Sequence, residues 1–457
     1  MPPLQRRLVR TFALVAGLLF LTGLTAAAEN GRRPNIIVII ADDMGSADVG
    51  FQGCKDIPTP HLDALAKAGI RCTDAYVSCP VCSPTRAGIL TGRYQQRYGH
   101  EYNPSLGKDV GLPLTETTVA DLLRAAGYAT GAIGKWHLGK EPPFHPLARG
   151  FSEFYGFVGG GRSYVPMAEP SKDRFIPLDP IVRGRTRVPD PEYLTDAFGH
   201  EAAEFVGRHK SEPFFLYLAF NATHYPLQAT EKYLSRFPTL TGGRRTLAAM
   251  TSALDDAVGV VTAKLRAERL ESDTLLFFLS DNGGPLMLAA RNDPLRGQKA
   301  TVYEGGIRVP FVVSWPGHIP AGGTYSKPVI SLDILPTALA AAGVQAPPPL
   351  DGVNLLPHLT GRTDTPPHET LYWRYGNERA VRHRNWKLSM PSREPAGLFD
   401  LSSDIAEAHD LSAARPEVVA ELTRLYDRWA AELQPPRWRD LLNPNAPGPA
   451  AKSAAKQ

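Results

Sequence analysis

The chain has 457 residues, 43% apolar and 21% charged, with a formal net charge of +4. That length suits one large domain plus a smaller one, and the composition is that of a globular protein able to bury a sizeable core. Three of the positive charges, Arg6, Arg7 and Arg10, lie in the first 28 residues, leaving +1 on the remainder; no basic patch with interleaved aromatics follows, which excludes nucleic acid as a partner.

Residues 1–28 have the pattern of a secretory signal peptide. A basic start precedes the apolar run Thr11 to Leu24, which is short for a membrane span, and Ala26-Ala27-Ala28 offers small residues for cleavage. The expected product is exported, periplasmic or secreted and of bacterial type, with no membrane attachment after cleavage. Asn35 to Ala41 is a continuous β-branched run, as in a strand buried on both faces of a parallel sheet. A helix is predicted over His61 to Ala68 and another over Thr117 to Ala126, stopped by Gly127. Further strands are predicted over Tyr128 to Ile133, Phe214 to Phe220, Thr274 to Leu279 and Val309 to Trp315. Helices are predicted over Thr246 to Arg269 and Ser331 to Ala342. This alternation predicts an α/β fold: a large domain with a mainly parallel central sheet flanked by helices.

Beyond about residue 355 the texture changes. Short strand-like pieces at Thr370 to Trp373, Arg379 to Val381, Trp386 to Ser389 and Gly397 to Asp400 precede one amphipathic helix, Arg415 to Leu433. The expected organisation is a catalytic domain over 33–355, a smaller α+β lobe with an antiparallel sheet over 356–440, and a disordered tail over 441–457. Four cysteines, Cys54, Cys72, Cys79 and Cys82, suggest disulfides in an exported protein. Cys79-Pro-Val-Cys82 has CxxC spacing without a thioredoxin-like setting.

Two buried strands end in oxygen-rich pairs, Asp42-Asp43 and Asp281-Asn282. Carboxyl ends of strands in open α/β sheets line ligand crevices. Brought together, these pairs supply four oxygen ligands, a donor set for a hard cation such as Ca2+ or Mg2+ ahead of Zn2+.

The segment Cys82-Ser83-Pro84-Thr85-Arg86, continuing to Leu90-Thr91-Gly92-Arg93, resembles the signature of the formylglycine-dependent sulfatases, with Thr85 where Ser is commonest. Pro34 to Asp43, Gly134-Lys135-Trp136-His137-Leu138-Gly139, His224-Tyr225-Pro226, Ser280-Asp281-Asn282-Gly283, Arg296 to Lys299 and Glu304 to Pro310 resemble further blocks of that family in the expected order. The resemblance implies an alkaline phosphatase-like fold, one Ca2+ per chain on Asp42, Asp43, Asp281, Asn282 and residue 82, and Cys82 oxidised to Cα-formylglycine by a maturation enzyme. At most two of the other three cysteines could then pair with each other.

The resemblance also implies roles. Hydrated formylglycine attacks sulfur through one hydroxyl, and Arg86 holds the diol. Lys135, Lys299 and the cation neutralise the sulfuryl oxygens. His224 protonates the departing alcohol, and His137 deprotonates the second hydroxyl to expel sulfate. The implied substrate is a sulfated glycan or an aryl sulfate. Alternatives are a phosphodiesterase or phosphonate monoester hydrolase of the same superfamily, or a catalytically dead glycan-binding protein. Asn221-Ala222-Thr223 matches a glycosylation sequon but abuts His224, and we discount it. His100, Asn103 and His145 lie near the blocks and are candidates for touching substrate.

Overall fold

A run such as Asn35–Ala41, with no polar face, can satisfy its backbone and bury every side chain only in a sheet covered on both sides. The computed structural model, which describes residues 32–104, 107, 109–167, 179–440 and 446–449, places it there. The expected leader lies outside the described residues, as does the expected tail apart from residues 446–449.

In chain order the strands are β1 (Asn35–Ala41), β2 (Ile70–Cys72), β3 (Ala75–Tyr76), β4 (Ala129–Lys135), β5 (Glu153–Phe157), β6 (Val182–Arg183), β7 (Thr186–Arg187) and β8 (Phe214–Ala219). Then come β9 (Thr274–Ser280), β10 (Phe311–Ser314), β11 (Gly323–Tyr325), β12 (Val329–Ile330), β13 (Thr370–Tyr375), β14 (Glu378–His383), β15 (Trp386–Met390) and β16 (Gly397–Asp400). Among the described residues ten of them form one sheet in the order β11-β2-β10-β9-β1-β8-β4-β5-β6-β7. Strands β9, β1, β8, β4 and β5 are mutually parallel, whereas β10 runs antiparallel to β9.

Alternation along these strands separates two apolar cores. Ile36, Val38 and Ile40 with Phe215, Tyr217, Leu275 and Phe277 face one side. Ile37, Ile39, Leu216, Leu218, Leu276 and Phe278 face the other. Helices Pro60–Ala68, Leu194–Arg208 and Gly242–Ala267 cover the second face. Helices Cys82–Thr91, Val119–Ala125, Ile334–Ala341 and Pro416–Ala430 cover the first.

All five expected strands are present, with ends shifted by up to two residues. The sequence reading passed over the helix Leu194–Arg208, which carries Gly199 in its interior. That glycine weakens the helix signal, but a Cβ there would lie 2.8 Å from the Cβ of Ala257, so its absence lets two helices approach closely. The expected disulfides are not formed: Cys54, Cys72, Cys79 and Cys82 are all free thiols. Among the described residues no helix is long and apolar enough to cross a membrane.

Strands β13 to β16 form an antiparallel sheet. Its Leu371, Trp373, Val381 and Leu388 join the same core as the first face of the large sheet, and the Trp373 indole N–H donates to the Val77 carbonyl at 2.7 Å. A buried ionic cluster joins the two sheets. Lys387 Nζ lies 2.8 Å from Glu304 and 3.0 Å from Glu407, all fully buried. Arg382 pairs with Asp74 at 2.6 Å. Removing one partner of such a cluster leaves a buried charge uncompensated. Lys387→Met is therefore expected to lower the unfolding free energy by about 3–5 kcal/mol, measured by denaturant titration; a loss below about 1 kcal/mol would show that the remaining arginines already balance both carboxylates.

Candidate active site

Register decides what meets at the carboxyl edge of the sheet. Ala41 of β1 pairs with Ser280 of β9, Ile40 with Ala219 of β8, and Ala219 with Gly134 of β4. Because these strands are parallel and level, Asp42-Asp43, Asp281-Asn282, His224 and His137, which follow them, and Lys135, which ends β4, emerge at one edge. Asp43 and His137 both hold left-handed backbones, with φ of 63° and 60°. Such conformations cost about 1–3 kcal/mol each and here turn the chain back across the site.

Cys82 opens the helix Cys82–Thr91, and Arg86 lies one turn further on the same face. The Cys82 thiol lies 3.4 Å from Asp42 and 3.9 Å from Asp43. Ligand atoms of Asp42, Asp43, Cys82 and Asp281 all fall within 4.8 Å of one another, and all four residues are buried. Arg86, also fully buried, donates from Nε to Asp281 at 2.9 Å and from Nη1 to the Lys135 carbonyl at 3.1 Å. Lys135 Nζ reaches Asp42 at 2.5 Å, and Lys299 Nζ reaches Asp43 at 2.7 Å. Asn282 donates from Nδ2 to Asp43 at 2.7 Å, while its buried Oδ1 has no partner. Three carboxylates and an unsatisfied amide oxygen fit a hard divalent cation; an imidazole, His224, also lies within 4.8 Å of the ligand atoms of Asp42 and Cys82.

The electrostatics follow from this packing. Burial alone would raise the Asp43 carboxyl, but Lys299, His224 and Lys135 outweigh it and hold it well below the usual carboxylate range. Burial and then the charge of Asp42 push the Asp281 carboxyl up, against the pull of Arg86 and Lys135. Burial pushes the Cys82 thiol far up against the pull of Lys135 and Lys299, so the unaltered side chain is a thiol at neutral pH.

A family model described as sulfatase matches residues 34–344, and one described as the C-terminal region of N-sulphoglucosamine sulphohydrolase matches residues 297–430. The chain belongs to the sulfatase family. Human arylsulfatase A is 35% identical over 89% of both chains. N-acetylgalactosamine-6-sulfatase of Sus scrofa is 35% identical over 78% of this chain and 70% of its own length. A crystal structure of Ps i-CgsB in complex with k-i-k-neocarrahexaose superposes with a TM-score of 0.85 at 39% identity, covering 89% of this chain and 95% of that one. The protein is thus a sulfate ester hydrolase.

Two histidines lie at the same edge. His224 bonds the Tyr225 carbonyl through Nδ1 at 2.7 Å, so Nδ1 carries the proton, and Nε2 lies 3.8 Å from Asp43. Burial, then Lys135 and Lys299, pull its pKa down to about 3. His137 is held neutral by burial and the same cations, and its buried Nδ1 has no partner. A Cβ on Gly160 would fall 2.5 Å from His137 Nε2, so only glycine leaves room for that ring.

Other placements depart from the sequence reading. His145 is buried, caps a short turn by accepting from the Leu147 N–H and packs on Phe154. His100 and Asn103 both touch the helix that Cys82 opens: His100 Nε2 shares a 2.7 Å hydrogen bond with Ser83 Oγ, and Asn103 Oδ1 accepts from the Ser83 N–H at 3.0 Å. Asn221 is 1% exposed, which removes the sequon from the surface. Sequence reasoning missed Tyr164, whose hydroxyl lies within donating reach of the carbonyls of both Asn221 and His224 and so pins the turn that carries His224. A lone tyrosine after Gly159-Gly160-Gly161 gives no signal of that contact.

Burial, with Arg437 adding to it, lowers the His100 pKa to about 3, against about 6.5 in an unfolded chain. Below pH 6.5 the unfolded state takes up this proton first, so the His100 contribution is intact above pH 6.5 and lost on acidification toward pH 3. The stability of His100→Gln should therefore fall less steeply between pH 6.5 and 4, by about 1.4 kcal/mol per pH unit, in denaturant titrations at stepped pH; parallel curves would contradict the assignment.

Proposed function

We propose that this sulfatase removes sulfate from a sulfated carbohydrate, using Cys82 oxidised to Cα-formylglycine and one Ca2+ held by Asp42, Asp43, Asp281 and Asn282. The observation that carries the reading is the convergence of these oxygen donors on residue 82 at the start of a helix, with Lys135 and Lys299 on either side. Bound there, the cation and the hydrated formylglycine together supply an oxygen nucleophile at neutral pH and countercharge for the sulfuryl group. The catalytic region is proposed to span residues 33–355, and the lobe over 356–440 to shape the cleft beside it. The leader pattern supports export, periplasmic or secreted, and an oxidising maturation enzyme is the partner that Cys82 requires. The glycan class is supported by the 6-sulfatase and neocarrahexaose named among the relatives.

The chain's own groups divide the remaining work. Arg86, held by Asp281, orients residue 82. Lys135 and Lys299 face the position of the sulfuryl oxygens, where a fixed positive clamp is most effective. His224 is neutral in the resting site, its proton affinity depressed partly by these two lysines. An anionic ester lying between the lysines offsets their share of that depression, burial being the larger cause, and so favours the protonated form that delivers a proton to the departing alcohol. His137, buried and neutral, accepts the proton whose loss drives sulfate release.

Two measurements test the reading. The enzyme should release sulfate from aryl sulfates in preference to hydrolysing aryl phosphate diesters, and the Cys72–Arg86 tryptic peptide should be about 18 Da lighter than its sequence mass. A strong preference for the phosphate ester would move the chain to the phosphodiesterase reading, and an intact thiol from a host with a maturase would favour a binding protein. Tyr164→Phe releases the His224 turn. It should slow esters of sugar alcohols about tenfold more than nitrophenyl sulfate, whose leaving group needs no proton; equal losses on both would reduce Tyr164 to a packing residue.

A further inference from the structure

We propose that the cleft running from Lys299 to Arg393 is a second anion-recognition subsite, taking a sulfate or carboxylate on the sugar adjacent to the one that loses its sulfate; this rests on the sulfated-glycan reading above. The cleft has a volume of about 300 Å3 and is lined by Lys299, Tyr102, Tyr375, Asn377, Ser392 and Arg393 among others. Lys299 also bonds Asp43, so the cleft opens directly beside the reacting position. A larger cleft of about 550 Å3, around Lys55, Arg236 and Asp256, includes none of the candidate site residues.

Arg393 is the informative residue. Both of its neighbours are tied down. Ser392 donates to Glu378 from its N–H at 3.0 Å and its hydroxyl at 2.5 Å. Glu394 accepts from Arg296 at 2.6 Å and from Tyr303 at 3.0 Å. The Arg393 guanidinium itself is exposed and makes no hydrogen bond or ion pair among the described residues. Such a group keeps its planar set of donors free for a sulfate or carboxylate, while its anchored loop has little ordering left to lose on binding.

The rest of the wall suits a sugar. The Tyr375 ring is half-buried in this wall and packs edge-to-face at 5.7 Å on the buried Tyr102, while their hydroxyls are engaged by Asp440 and Pro447, which leaves part of the Tyr375 ring to the cleft. The acids Glu378 and Asp440 also line it and keep their charge, each held by a neutral hydroxyl, Ser392 and Tyr375, while Arg393 has no partner among the described residues, so an anion has to settle on the Arg393 side.

The test uses the full chain carrying Cys82→Ala, which cannot consume substrate, and isothermal titration with three oligosaccharides of one backbone. One bears a single sulfate, one a second sulfate on the adjacent sugar, and one a uronate carboxylate there. The second anion should tighten binding about tenfold. Adding Arg393→Ala should erase that gain, and Arg393→Lys should restore part of it. Whichever anion gives the larger gain identifies the natural group. No gain, or a gain that survives Arg393→Ala, overturns the subsite. Sulfate release from the singly sulfated probe by the intact enzyme is followed in parallel. Release without a second-anion gain sinks the subsite alone; no release from any of the three glycans sinks the glycan reading and the subsite with it.

Discussion

Asp42, Asp43 and Asp281 carry three carboxylates into a region almost without solvent, and burying an ion costs several kcal/mol unless a partner and hydrogen bonds compensate it. Arg86, Lys135 and Lys299 provide that compensation, each within 2.9 Å of a carboxylate oxygen. The rest of the site depends on this balance. It fixes three cationic side chains around residue 82, and burial, with these cations adding to it, keeps both histidines neutral. The cluster is therefore preorganised for anion binding before any substrate arrives.

The balance exists because the strands are parallel and level. If β9 were displaced by one residue against β1, Asp281 would leave the edge and Arg86 would lose its partner. The two cores that clamp the sheet from either side fix that register, so residues such as Ile37 and Phe278 serve catalysis by preventing slippage. The left-handed Asp43 and the glycine opposite His137 are departures from regular geometry at the edge, affordable because the sheet behind them is rigid.

The C-terminal sheet is built into the same scheme. Its Trp373 and Lys387 reach into the main body, and Glu304, which lies in one of the recognisable sequence blocks, serves this joint instead of the reacting centre. The joint sets the loop bearing Arg393 at a fixed place beside Lys299. A rigid platform with adaptable loops at its rim is the usual way for one chemistry to serve different substrates.

Much of this was legible in the amino-acid order. Asn35 to Ala41 and Thr274 to Ser280 announce buried strands because an all-apolar run has no other stable home, and the acid pairs after them mark the carboxyl edge. Cys82 to Arg93 carries a local pattern specific enough to name the family. Contacts between side chains distant in the chain were not legible. Tyr164 holding His224, His100 beneath Ser83, His145 packed on Phe154, the free thiols and an Arg393 with no partner among the described residues each depend on which surfaces meet after folding. Local sequence determines which segments become strands and which residues can bind a cation or move a proton. Only packing decides which of them share a dry pocket, because burial and partner distance, more than residue type, set charge, proton affinity and reach.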